Sequence, residues 1–360
     1  MKILLLGDYS GLSKNLKEGL IELGHEVSLV STGDGFKETV NSDFPLKNFD
    51  NVLLKMLDKI IFPLNRISNY YNYDVVQIIY HNMFGMAQIG YNYYILKKIK
   101  EHSGKMFLNS CGEDYFVYKS KDKLRYNPWD ESKNSNMGID KLVNKKWYVT
   151  NNLKVANLVD GIIPSLYTYA EAYRNHKKIM PTIPFPMNVN DIKFTPPIIE
   201  NGKLKVFHGL NREDYKGTKY IREAMERLKR NYPNDVEILI DGKMPLKQYL
   251  KILEKTNVVV DQALSYEYGM NAVYSMAMGK VVLSGNEPEC QKEFRRSDIP
   301  IINIKPSVED IYNKLEKLVL NKKDVIEIAK KSRLFVEDFH HHVKVAQQYI
   351  DAWNSVEVKK

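Results

Sequence analysis

The stretch from Asn257 to Glu289, NVVVDQALSYEYGMNAVYSMAMGKVVLSGNEPE, decides how the chain is read. Val258-Val259-Val260 is a β-branched run without alternation, stopped by Asp261-Gln262, which predicts a short strand buried on both faces. After Gly269 the apolar positions become Met270, Ala272, Val273, Met276 and Ala277, the three- and four-residue recurrence of a helix packed on a sheet. Gly279 is a suitable stop, because glycine takes the left-handed C-cap without strain. Lys280-Val281-Val282-Leu283 then begins the next strand. Strand, glycine turn, helix and strand make one βαβ unit, and such units bind ligands beyond the carboxyl ends of their strands. That edge carries Gln262, Ser265, Tyr266, Glu267, Gly269 and Asn271. The first N–H groups of a helix lack intrahelical partners and sit at the positive end of its dipole, so Gly269, Met270 and Asn271 suit a phosphate. A glycine before a helix equally serves packing alone in many α/β folds.

Size and composition set the frame around this unit. At 360 residues the chain exceeds one ordinary core, and two domains are expected. A hydrophobic fraction of 44% with 24 tyrosines excludes wholesale disorder. No apolar run approaches the roughly 20 residues that span a bilayer. Met1 to Gly7 lacks the length and cleavage site of a signal peptide, and Cys111 and Cys290 offer no disulfide framework, so a soluble, cytoplasmic protein is expected. The net charge of +9 favours anionic partners: nucleic acid, anionic lipid headgroups or a phosphorylated substrate. With no zinc-finger spacing and no aromatic RNA-binding signature, nucleic acid ranks last.

Apolar runs predict further strands at Lys2 to Gly7, Glu26 to Val30, Val75 to Tyr80, Met106 to Asn109 and Gly161 to Pro164, then at Lys205 to His208, Glu237 to Asp241, Val281 to Ser284 and Ile301 to Ile304. Alternation with helical stretches predicts mainly parallel sheets. Gly7 and Gly11 lack the third glycine of a dinucleotide fingerprint, which disfavours nicotinamide binding. His81 and Asp114 follow strands on the functional edge; each reads as readily as a cap as it does as a catalytic group. Tyr115 to Trp147 is rich in lysine and aromatics, a composition that suits an acceptor or membrane-surface region but more commonly marks a solvated basic face with a few anchoring aromatics. Pro181, Pro184 and Pro186 stiffen an extended segment read as the interdomain connection. His340-His341-His342 cannot surround one metal from a single helix, because neighbouring side chains diverge by about 100°. Ahead of the helix expected from Thr218 to Leu228, Arg212 and Lys216 sit on a loop and offer a fork and a point charge to a diphosphate.

His208-Gly209 with Arg212 and Lys216-Gly217, followed by Asp261-Gln262, Tyr268-Gly269-Met270 and Met276-Ala277-Met278-Gly279-Lys280, resembles the C-terminal domain of GT-B nucleotide-sugar glycosyltransferases of family 4. The resemblance covers nearly the whole chain. It implies an α/β fold of two Rossmann-like domains facing a cleft: an N-terminal acceptor domain over 1–185, a donor-binding domain over 186–334, and a C-terminal helical segment, 335–360, crossing back to the first. It implies that Arg212 and Lys216 hold the donor diphosphate with Gly269, Met270 and Asn271 facing it. The family's two glutamates, one touching the transferred sugar and one the ribose, correspond to Tyr266 and Tyr274 here. Glu267, if the turn is shifted, could take over the first contact, and Glu287 and Glu289 are candidates for hydroxyl contacts or equally surface caps.

The resemblance implies glycosyl transfer with retention of configuration from a nucleotide-diphosphate sugar to a glycan or lipid-linked acceptor in surface polysaccharide or glycoconjugate assembly. No metal or other cofactor is expected, since cations and helix amides stabilise the leaving diphosphate in this family. His81, Asp114 and Glu267 are the candidate catalytic contacts. An anionic membrane surface is a further candidate partner, which would make the protein peripheral on the inner face. The alternatives are a non-catalytic sugar-nucleotide or glycan-binding protein and a GT-B sugar-nucleotide epimerase.

Overall fold

A computed structural model of the chain describes residues 1–31, 42–43, 63–131 and 138–357. The chain divides into two compact units, one formed by Met1–Ser120, Gly138–Pro186 and the C-terminal residues from His342, the other by Met187–His341 together with the described residues from Lys121 to Glu131. Each unit is built on five strands. In the first these are β1 (Lys2–Leu6), β2 (Glu26–Val30), β3 (Val75–Ile78), β4 (Lys105–Ser110) and β5 (Gly161–Pro164). In the second they are β6 (Leu204–Gly209), β7 (Val236–Asp241), β8 (Val258–Val260), β9 (Val281–Ser284) and β10 (Ile301–Asn303). Every one of these strands lies where an apolar run predicted it, with ends shifted by at most two residues.

The orders are β2-β1-β3-β4-β5 and β10-β9-β8-β6-β7, with every pairing parallel. Counted from its own first strand, the second sheet repeats the order of the first. This is a doubly wound arrangement whose chain reverses direction across the sheet beside the first strand, and ligands favour that switch point. The switch points therefore lie between β1 and β3 and between β6 and β8. Burial on both faces explains the unalternating runs: Val75, Val76 and Ile78 are buried, as are Val258, Val259 and Val260.

The flanking helices follow the three- and four-residue spacing. Thr218–Asn231 buries Ile221, Ala224, Met225 and Leu228 in the second core, and Lys229 and Arg230 in its last turn complement the dipole. Ser307 caps Val308–Leu320, its Oγ accepting from the Asp310 N–H at 3.3 Å. Lys280 is fully buried with Nζ donating to the carbonyls of Thr195 and Glu254 at 2.7 and 3.1 Å; burial lowers its pKa to about 8. Among the described residues no helix is long and apolar enough to cross a membrane.

The proline segment belongs to the interior of the first unit. Met180 and Ile183 donate main-chain hydrogen bonds to Ile162 and Pro164 on β5, and Ile183 packs in the core with Tyr349 and Trp353. The units part after Pro186. The helix Lys322–Phe339 stays in the second unit, and the chain re-enters the first at His342 instead of Phe335. The helix His342–Asn354 then locks onto the first sheet. Trp353 Nε1 donates to Gln77 at 3.2 Å, Asn109 donates to the Tyr349 hydroxyl at 2.9 Å, and Lys105 Nζ donates to the Trp353 carbonyl at 2.8 Å. The histidines are divided between the units: His342 Nε2 meets Glu22 at 2.7 Å, whereas His340 Nε2 meets the Tyr268 hydroxyl at 3.1 Å.

The contact between His342–Asn354 and the helix Leu12–Glu22 depends on Gly19, where a Cβ would stand 2.4 Å from the His342 carbonyl oxygen. Gly19→Ala gains about 1 kcal/mol of helix propensity and forces backbone apart at a cost of roughly 1–3 kcal/mol. Urea unfolding should show a net loss of stability in the transition of the first unit. A variant as stable as the parent would contradict this packing.

Candidate functional site

The switch point of the second sheet brings together Lys216 and Asp261 from the turns after β6 and β8. From β6 the chain passes through Leu210–Arg212 into a short helix, Glu213–Lys216, and Gly217 takes φ 71° before Thr218–Asn231 begins. From β8 it passes through Asp261 and a loop to Gly269, which precedes the helix Met270–Ala277. The two turns are tied together. Lys216 Nζ lies 2.9 Å from Asp261 Oδ1, Asn271 Nδ2 donates to the same oxygen at 2.9 Å, and the Ala263 N–H donates to the Lys216 carbonyl at 2.9 Å. Tyr249 adds a hydroxyl bond to Asn271 Oδ1.

Lys216 does not lie on an exposed loop: its side chain is 10% exposed and that of Asp261 2%. Burial pushes the Asp261 carboxyl up, but the Lys216 charge, its hydrogen bond and that of Asn271 outweigh this and hold it below the usual carboxylate range. His208 stands behind the pair with Nδ1 2.7 Å from the Val260 carbonyl and Nε2 2.9 Å from the Thr218 hydroxyl. A carbonyl can only accept, so Nδ1 carries the proton and Nε2 accepts from Thr218. Burial, followed by the Lys216 charge, brings its pKa down to about 4, and the ring is neutral near pH 7.

Arg212 is exposed, its guanidinium 3.9 Å from the centre of the Tyr215 ring. Gly269 has an extended backbone, φ −100° and ψ −176°, and a Cβ there would meet nothing within 4 Å. Neither backbone strain nor neighbouring protein requires glycine at this position. The space beside Gly269, immediately ahead of Met270–Ala277, is open. Tyr274, one turn along, is half-buried, and burial raises its hydroxyl pKa.

Tyr266, Glu267 and Glu287 lie in the deeper part of this edge and are all buried. The turn after β9 presses on them: a Cβ on Gly285 would sit 2.1 Å from the Ser265 carbonyl oxygen. Over Tyr266 and Glu287 lies a segment that sequence reasoning assigned to the other half of the chain. Arg125 donates through Nη2 to Glu287 and through Nη1 to Glu289, both at 2.5 Å, while its main-chain N–H donates to the Tyr266 hydroxyl at 2.6 Å. Its guanidinium lies 4.9 Å from the Tyr266 ring centre, and the rings of Tyr126 and Tyr266 are 5.0 Å apart. Asn303 satisfies the other oxygen of Glu287 at 2.7 Å. The Arg125 hydrogen bond holds Glu289 below the usual carboxylate range. No spacing rule could reveal a pair 162 residues apart.

In the first unit His81 and Asp114 do meet, through Tyr173, and all three are buried. Tyr173 donates its hydroxyl proton to Asp114 Oδ2 at 2.8 Å, so His81 Nε2, 3.0 Å away, donates to the hydroxyl. Burial lowers the His81 pKa despite the nearby carboxylate. The second oxygen of Asp114 caps the helix Tyr115–Lys119 through the Val117 N–H at 2.9 Å. The imidazole and carboxylate are brought together as a buried frame.

No protein-family profile and no curated protein matches this chain. Solved structures do match along its whole length. Sucrose-phosphate synthase from Thermosynechococcus elongatus is similar with TM-score 0.62 and 13% identity over 99% of both chains. HepE from Anabaena, solved in complex with UDP-glucose, is similar with TM-score 0.62 and 14% identity over 99% of this chain and 100% of that one. UDP-GlcNAc 2-epimerase from Neisseria meningitidis, bound to UDP-GlcNAc, has TM-score 0.51 and 11% identity over 99% and 100%. At such identities the likeness is one of fold: two Rossmann-like domains of the GT-B type.

Proposed function

We propose that this chain is a glycosyltransferase that moves a sugar from a nucleotide-diphosphate donor to a glycan or lipid-linked acceptor. The observation that carries the proposal is the Lys216–Asp261–Asn271 arrangement at the switch point of the second sheet, beside the open start of Met270–Ala277. An ammonium has three donors, and Asp261 uses one. The other two, with the Met270 and Asn271 amides and the forked Arg212 guanidinium, suit a diphosphate. HepE, of the same fold, was solved with UDP-glucose, which supports this donor class.

The chemical demand falls on the leaving group. As the bond from the sugar to the diphosphate breaks, negative charge grows on the diphosphate oxygens, and preorganised cations and amides stabilise that charge more than they stabilise the ground state. Asp261 fixes Lys216 in place before the donor arrives. Neutral His208 supports the turn without adding a third charge. The family resemblance carries retention of configuration with it. Tyr274 takes the ribose position, where a phenol offers a flat face and one hydroxyl in place of a carboxylate.

A second reading, a sugar-nucleotide binder without transferase activity, draws on the absence of a carboxylate at Tyr266 and Tyr274 and on the engagement of Glu287 by Arg125 and Asn303. Turnover of a nucleotide-sugar panel separates these readings and the epimerase alternative. Donor consumption with transfer or slow hydrolysis supports the transferase, epimer formation points to the epimerase, and binding without chemistry supports the binder.

Arg212→Ala is the clean probe of the diphosphate contact, because the side chain is exposed. Donor affinity should fall by roughly 1.5–3 kcal/mol, the worth of a charge-assisted hydrogen bond, with unfolding unchanged; unaltered affinity by calorimetry would remove the assignment. Lys216→Ala instead strands the buried Asp261 charge, and a loss of about 3–5 kcal/mol of stability is expected in addition.

Tyr274→Glu tests the ribose position. If tyrosine merely stands in for a carboxylate, the variant should keep or improve donor binding in isothermal titration. Equal binding of nucleoside diphosphates with ribose and with a 2′,3′-dideoxy sugar, in parent and variant alike, would place Tyr274 outside the nucleotide site.

A further inference from the structure

We propose that a groove of about 530 Å³ at the carboxyl edge of the first sheet binds a phosphorylated or carboxylated saccharide. The groove belongs to the first unit, and the inference holds whether or not the second unit transfers sugar. Its walls are the turn Ala87–Ile89 with the start of the helix Tyr91–Glu101, and Asn144–Lys145 with the start of the helix Lys146–Leu158. Each helix connects two parallel neighbours, β3 to β4 and β4 to β5, so each begins at the edge where the strands end. That is the edge where doubly wound sheets bind ligands.

The floor is preorganised by buried polar groups. Asn92 and Asn151 each donate to the His81 carbonyl, at 2.7 and 2.9 Å, and Asn92 donates to Asn151 Oδ1 at 3.1 Å. These bonds tie the first turn of Tyr91–Glu101 and the second turn of Lys146–Leu158 to the turn that follows β3. The His81–Tyr173–Asp114 frame holds the same strand end from below. A groove fixed in this way loses little freedom when it is filled.

The lining states the ligand's chemistry. It carries three lysines, Lys145, Lys146 and Lys154, and no carboxylate. Elsewhere on the same helices lysines are neutralised: Lys97 and Lys98 pair with Glu101 at 3.7 and 2.9 Å, and Lys100 pairs with Asp160. Among the described residues no carboxylate pairs with Lys145, Lys146 or Lys154. Lys154 Nζ lies 5.3 Å from the centre of the Tyr93 ring, so its charge is held over an aromatic face at the groove. Trp147 is half-buried and edge-on to Tyr148, which fixes the indole as a wall. A flat apolar wall suits the C–H face of a pyranose, the Gln88 and Thr150 side chains suit its hydroxyls, and the three lysines suit an anionic substituent.

Fluorescence titration of the full chain tests this directly. Trp129 and Trp353 are buried, which leaves Trp147 as the tryptophan that responds to a ligand in the groove. Glucose 6-phosphate should quench or shift its emission saturably and more tightly than either glucose or inorganic phosphate. Lys145→Ala with Lys146→Ala should weaken that binding roughly tenfold or more, without lowering Tm, because both side chains are exposed. Trp147→Phe should abolish the optical signal and weaken binding measured by calorimetry. Equal affinity for inorganic phosphate and the sugar phosphate would overturn the saccharide assignment. Unchanged binding in the double lysine variant, or a response to phosphatidylglycerol vesicles with none to the sugar phosphate, would overturn the site.

Discussion

The Lys216 ammonium and the Asp261 carboxylate lie 2.9 Å apart with almost no access to water, and the working edge of the second unit depends on that contact. Two buried charges are tolerable only when each compensates the other and further hydrogen bonds satisfy what remains. Asn271 supplies one of those bonds, which couples the pair to the start of Met270–Ala277. His208 stays neutral beside it because burial and the Lys216 charge both oppose a second cation. One ion pair therefore joins the turn after β6 to the turn after β8 across the point where the sheet reverses direction.

The same strand order organises the first unit, but with a different kind of support. There the edge is held by neutral or charge-compensated hydrogen bonds: Asn92 and Asn151 on the His81 carbonyl, Tyr173 between His81 and Asp114. One edge thus holds a nearly buried cation paired with a carboxylate, whereas the other buries its titratable groups and presents lysines at the rim. The Arg125 clamp is a third device. By covering Tyr266 and Glu287 it places protein over the position where the family resemblance has the sugar-contacting glutamate.

The strands were legible because parallel sheets bury both faces, and runs such as Val258–Val260 and Val281–Leu283 leave no other reading. The switch-point turns were legible too, through Gly217, Gly269 and the cations before them. What the sequence could not show was which charges are satisfied internally. Lys216 reads as a loop cation, yet its partner stands 45 residues away on another strand end. Arg125 lies in a lysine- and aromatic-rich stretch without period, and nothing in that stretch names carboxylates more than 160 residues on. His81 and Asp114 could be read either as catalytic groups or as caps; the position of Tyr173, which links them in the interior, is set by tertiary packing alone.

The central claim is that the Lys216–Asp261 turn and the open start of Met270–Ala277 receive a nucleotide diphosphate. A crystal structure of the full chain with UDP, refined without reference to related complexes, measures this most directly. The account predicts diphosphate oxygens within hydrogen-bond distance of Lys216 Nζ and of the Met270 or Asn271 amide, with the Lys216–Asp261 contact retained. A nucleotide bound elsewhere, with that turn unoccupied and Lys216 donating only to Asp261, would contradict it.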